Sequence, residues 1–161
     1  MWKIELEIDF SKLAPNNYTD LSDALDKKFA YSKDRIYLIM DNSKIELPLA
    51  YGFSDLLETI IYLLENICHQ TQGEGLYGFP QNDFFDCDWK IGWNVENLSI
   101  EFEWRSVKEG IIEEFPKMIT TTKREFLESW KTVFQKLFEV ISRENLSDPW
   151  DYDKIQKLLD S

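Results

Sequence analysis

Residues 89–104 read WKIGWNVENLSIEFEW, and their alternation decides the fold class. Trp89, Ile91, Trp93 and Val95 alternate with polar residues or Gly. After Glu96 and Asn97 the alternation resumes at Leu98, Ile100, Phe102 and Trp104. Period-two alternation marks a half-buried strand, and two such runs joined by two residues mark a β-hairpin. A turn at Glu96-Asn97 sets Val95 opposite Leu98, Trp93 opposite Ile100, Ile91 opposite Phe102 and Trp89 opposite Trp104. A one-residue slip would break all four apolar pairs. Glu-Asn is not the favoured Asn-Gly turn, so this register rests on the apolar pattern.

Working outward, residues 2–10 alternate in the same way. Trp2, Ile4, Leu6, Ile8 and Phe10 fall on one face, and Lys3, Glu5, Glu7 and Asp9 on the other. Residues 11–18 read as a loop, and Thr19 as the cap of a short helix to about Phe29. Residues 35–41 and 44–49 form a second hairpin about Asn42-Ser43, with Met40 facing Ile45, Leu38 facing Leu47 and Ile36 facing Leu49. Pro48 places the return strand at an edge. Ser54 is the expected cap of an amphipathic helix over 54–71. Residues 72–88, QGEGLYGFPQNDFFDCD, read as a long irregular connection, with a short strand at 76–79 as one option. Residues 106–117 have no regular pattern, and 118–121 suggest a short strand. Thr122 and Glu125 fit a capping box that opens an apolar-striped helix over 123–144. Asp148-Pro149 suits the start of a last helix docked by Trp150, Ile155, Leu158 and Leu159. Half-buried strands need helices on their apolar face. The expectation is one α+β domain over 1–161, a two-layer fold whose largely antiparallel sheet is covered by the two long helices.

The chain has 161 residues and a formal net charge of -12. Residues 1–116 carry 22 acidic and 10 basic side chains, whereas 117–161 carry 8 of each. The negative field therefore belongs to the strand-rich part. It repels nucleic acid and anionic membrane, attracts a basic partner, and also serves solubility. Aromatics make up 15% of the residues, enough to fill a sheet–helix core. Two cysteines make no disulfide framework, the charged start is no signal peptide, and no apolar run is long enough to span a bilayer. The cytoplasm is the expected location.

Motifs of catalysis are missing. Cys68, His69 and Cys87 could supply zinc ligands, but neighbours on a helix diverge by about 100 degrees, so Cys68 and His69 poorly share one ion. Asp83, Asp86 and Asp88, with Asn82, offer oxygens to a hard cation, but the EF-hand spacing is absent and a solvated acidic loop is the plainer reading. GEGLYG at 73–78 lacks the Lys-Ser/Thr end of a phosphate loop, which leaves turn glycines. No nucleophile-elbow motif occurs, and no basic stripe accompanies the aromatics. No catalytic residue, metal or cofactor is expected.

If the first strand and the central hairpin share a sheet, one outward face collects Glu5, Glu7, Asp9, Glu101 and Glu103, with Lys90 opposite Glu103. Like charges on a sheet face are costly unless solvated or matched by a partner. That face, together with Asp83, Asp86 and Asp88, is the candidate partner-binding surface, and its partner would be a basic protein.

The acidic strand WKIELEIDF and the loop NDFFDCD, in a small chain without a catalytic motif, resemble bacterial toxin-immunity proteins. The resemblance is one of overall character and assigns no residue a role. It implies a cytoplasmic protein that plugs the active site or an exosite of a basic cognate toxin, by charge steering and a few buried anchors. The alternative is a small enzyme or ligand-binding domain, with an aromatic pocket between sheet and helices whose mouth is Tyr77, Phe79, Phe84 and Phe85. A third reading is a subunit of a larger complex, contacted through Trp150 and the last helix.

Overall fold

The computed structural model describes residues 1–9, 17–30, 33–79 and 83–161, so Phe10, most of the loop at 11–18 and Asn82 lie outside the described residues. The fold is α+β, with antiparallel pairing between all neighbouring strands of its sheets. The strands, however, form two sheets rather than one. β1 (Trp2–Glu7), β2 (Arg35–Met40) and β3 (Ser43–Pro48) make a three-stranded sheet in that order. β4 (Gly73–Gly78), β5 (Phe85–Trp93), β6 (Asn97–Val107) and β7 (Met118–Thr122) make a four-stranded sheet, also in chain order. Four α-helices accompany them among the described residues: α1 (Leu21–Phe29), α2 (Ser54–His69), α3 (Lys123–Phe138) and α4 (Trp150–Asp160).

The edge strands β1 and β7 run near each other, and α3 packs over both as well as over β6. Trp2 sits at this seam. Its ring lies 5.5 Å from that of Trp89 on the other sheet and 5.2 Å from that of Phe126 on α3. Its indole N–H donates to the Ser129 hydroxyl at 3.0 Å. Phe53, Trp130 and Phe134 extend the aromatic core toward α2. The expected apolar stripes of α2 and α3 are the buried ones.

Both hairpins form, and both differ from expectation by the same step. Trp93 faces Leu98, Ile91 faces Ile100, Trp89 faces Phe102 and Cys87 faces Trp104. The turn is Val95-Glu96, not Glu96-Asn97. The Asn94 side-chain oxygen accepts the N–H groups of Glu96 and Asn97 at 2.9 and 2.8 Å, an Asx turn that fixes the loop. Val95 is left at the tip, 75% exposed. In the second hairpin Met40 faces Ser43, Leu38 faces Ile45 and Ile36 faces Leu47 about an Asp41-Asn42 turn. Asp41 takes the left-handed conformation (φ 53) that a short polar side chain tolerates. Moving a turn by one residue moves every partner by two, so the apolar faces are unchanged while the pairs are not.

Other boundaries shift for local reasons. Asp20 rather than Thr19 caps α1, through the Asp23 N–H. Ser54 lies inside α2, and its hydroxyl donates to Asp26 and accepts the Tyr51 N–H instead of capping the helix. Tyr51 itself is held at φ 60. The glycine-rich stretch is strand β4. A Cβ on Gly73 would lie 2.6 Å from the Trp93 ring, and one on Gly75 would lie 2.9 Å from the Tyr77 ring, so glycine here makes room for aromatics. The capping box at Thr122 and Glu125 forms as expected, and α3 ends at Phe138. Asp148 accepts the Trp150 N–H at 3.3 Å at the start of α4. That helix docks through Ile155, Leu158 and a Tyr152–Phe138 ring stack at 3.8 Å, while Trp150 stays 51% exposed.

Candidate functional site

Splitting the strands into two sheets divides the candidate acidic surface. Glu5 and Glu7 stand on the outer face of β1, with Asp9 just past its end. The cross-strand rows there are Lys3–Ile39–Lys44, Glu5–Tyr37–Glu46 and Glu7–Arg35–Pro48. Each carboxylate has an answer within the sheet. Lys3 pairs with Glu5 and holds its carboxyl below the ordinary range. The Tyr37 hydroxyl donates to Glu7 at 2.9 Å, and that carboxylate in turn raises the Tyr37 hydroxyl. Arg35 reaches Glu46 at 3.2 Å. Asp9 is tied in by its backbone, whose N–H donates to the buried Asp34 at 2.6 Å. The three rows carry Glu5, Glu7 and Glu46 against Lys3, Arg35 and Lys44, so the face is close to neutral.

The outer face of the four-stranded sheet is different. Asp86, Asp88, Glu101 and Glu103 point outward with Glu74, against Lys90 and Arg105. Lys90 faces Glu101, not Glu103; Glu103 faces Asp88, a like-charge pair. Asp86 and Asp88 belong to β5 and not to a loop, and Asp83 lies exposed just before it. Arg105 reconciles the cluster. It meets Asp86 at 2.6 Å and grips Asp88 with its two terminal nitrogens at 2.9 and 3.0 Å. Its guanidinium keeps the Asp88 carboxyl below the usual range, and the two acids raise the guanidinium in return. Lys90 and Arg105 leave the face with an excess of negative charge.

Two apolar side chains interrupt this acidic field. Leu76 is 69% exposed and Met118 is 60% exposed. The register sets them at the two ends of one row across all four strands: Leu76, Lys90, Glu101, Met118. Arg105, Leu76 and Met118 were not legible as site residues, because their meaning depends on strand order. The outer face of this sheet thus has exposed apolar side chains at both edges of one row and an unbalanced charged middle.

A further acidic group gathers where helices begin. Partial burial pushes the Asp151 carboxyl up, and Asp20, Asp148 and Glu58 add to the rise. Asp55 is raised by burial and by Asp26.

The groups considered for metals and ligands lie apart. His69 is exposed and its ring contacts the Glu65 carbonyl, Cys68 is half-buried at the end of α2, and Cys87 is buried in β5. Burial pushes the Cys87 thiol up to about 12. Among the described residues no group of three or more His, Cys, Asp or Glu side chains converges as a metal site. Tyr77, Phe79 and Phe85, expected at a pocket mouth, are buried; Phe79 packs 4.5 Å from Trp89 and 6.1 Å from Phe85. Phe84, half-buried, lines a surface cleft. No described helix is long and apolar enough to cross a membrane. No family model, curated protein or solved structure matches the chain.

Proposed function

We propose that this chain is a protein-binding module that docks a basic partner on the outer face of the four-stranded sheet. The observation that carries the reading is the Leu76–Lys90–Glu101–Met118 row beside the Asp88–Glu103 pair: two exposed apolar anchors framing an acidic excess. Buried anchors supply most of the affinity of such interfaces, and charge complementarity supplies rate and choice of partner. Neutralisation of a basic toxin in the manner of an immunity protein is the form of this function that the acidity and size support. The cytoplasm is its setting, a reading supported by two free cysteines on separate elements.

The test is affinity capture from the native host lysate, including products of neighbouring genes, with three baits. These are the wild type, Glu101→Lys with Glu103→Lys, and Glu5→Lys with Glu7→Lys. The expected result is a basic protein held by the wild type and by the β1 variant, weakened by salt, and lost from the β6 variant. Capture indifferent to the β6 variant would remove this surface from the function.

A further inference from the structure

β3 is an edge strand, and the ladder fixes the direction of its free backbone groups. The Asp41 N–H donates to the Met1 carbonyl at 2.9 Å. Odd-numbered residues of β2 therefore bond toward β1, and Ile36, Leu38 and Met40 bond toward β3. Their partners are Leu47, Ile45 and Ser43. Between these, Lys44 and Glu46 send their N–H and C=O groups out of the sheet. Both residues line a cleft of about 380 Å³. Its opposite wall is Phe84, Val107, Lys108 and Glu109, where β5 begins and β6 ends, closed by a bond of 2.8 Å from the Lys108 N–H to the Phe84 carbonyl.

The lining charges are unevenly matched. Arg35 answers Glu46. Among the described residues Lys44 and Lys108 have no carboxylate at ion-pair distance. Their ammonium groups lie over rings instead, 4.4 Å from the Tyr37 centroid and 4.7 Å from the Phe84 centroid. Within the lining Glu109 is the one acid left against the two, while Glu5 acts on Lys44 from the next row of the sheet. In a chain of net charge -12, this is a locally positive cleft bounded by unused backbone donors and acceptors.

We propose that the cleft receives an extended peptide segment of a partner protein, which adds to β3 as a further strand. Its acidic side chains lie beside Lys44 and Lys108, and the apolar ones between them lie against Phe84 and Val107. Strand addition draws affinity from main-chain bonds and specificity from alternate side chains, and this cleft offers both. Lys44 and Pro48 discourage pairing with a second copy of the same edge. The lining shares no residue with the acidic face of the other sheet, so the two proposals stand or fall separately.

The probe is acetyl-Glu-Val-Glu-Val-Glu-amide, titrated into the full chain and followed by NMR, with acetyl-Lys-Val-Lys-Val-Lys-amide as control. The expected result is a Kd of about 1 mM or tighter, roughly tenfold tighter than for the control, with hydrogen exchange at the Lys44 and Glu46 amides slowed about tenfold. Lys44→Glu with Lys108→Glu changes exposed side chains only and should reverse the preference. Equal binding of the two peptides, unchanged exchange at those amides, or a preference indifferent to the double variant would overturn the proposal. A chain already dimeric through β3 would overturn it as well.

Discussion

Arg105 grips Asp88 across the β5–β6 ladder with two parallel hydrogen bonds of 2.9 and 3.0 Å while its third nitrogen bonds Asp86. Such a fork holds two carboxylates side by side on a face that also carries Glu103. Because Arg105 depresses the Asp88 carboxyl, its stabilisation is present above the unfolded-state value and is lost as pH falls through the folded one.

Arg105→Ala should therefore return the Asp88 titration midpoint, read by carboxyl NMR, upward to the ordinary aspartate value of about 3.9 or above. Stability at neutral pH should change little, because the group is exposed. The variant also makes the sheet face more acidic, so association with a basic partner should quicken by roughly twofold at low salt. An unmoved Asp88 midpoint would show that the fork does not persist in solution.

Asp151 presents the opposite sign. Its carboxyl is raised by burial and by Asp20, Asp148 and Glu58, against the opposing charge of Lys154. An acid raised in the folded state costs stability once ionised, so the fold gains as pH falls through the raised value. Asp151→Asn should raise the melting temperature at pH 7 by about 1–2 °C, allowing for solvent screening. The gain should vanish toward pH 3.8, where the wild-type carboxyl carries its proton. A gain that persists in acid would point to helix propensity instead.

The Trp2–Ser129 bond ties β1 to α3 at 3.0 Å. Ser129→Ala leaves the Trp2 N–H without that acceptor and should cost about 1 kcal/mol in urea unfolding. Trp2→Ala also opens a cavity between the two sheets and should cost about 3–5 kcal/mol.

Thr122→Ala removes the hydroxyl that accepts the Glu125 N–H and should destabilise the protein by about 1 kcal/mol, whereas Thr122→Ser should be near neutral. Amide exchange in the first turn of α3 would report the same loss locally.

Alternation along the chain identified which side chains of β1, β2, β5 and β6 are buried, because one covered face forces period two. It left the partners open. Val95 and Asn42 fit the alternating pattern as well as their true places in the turns, and only the Asn94 side chain and the left-handed Asp41 decide between registers two residues apart. GEGLYG read as turn because glycine commonly serves there; its use as space for Trp93 and Tyr77 depends on rings distant in sequence. The acidic surface was legible as composition but not as geometry. Strand order separates Glu5 and Glu7 from Glu101 and Glu103 and supplies Lys3, Tyr37 and Arg105 as internal answers. Thr122 and Glu125, three residues apart, needed no tertiary information, and that reading was correct to the atom.

The packing of β1 against α3 has a kinetic side. Trp2 meets Ser129 across a separation of 127 residues. At synthesis rates of roughly 5–20 residues per second, the first strand waits on the order of 6–25 s for the helix that covers it. For that interval Trp89 is made but Phe126 and Trp130 are not, so the apolar face of β1 is only partly covered, and closing so long a loop is slow compared with forming either hairpin. Until α3 is made, the uncovered part of β1 is open to aggregation or chaperone capture.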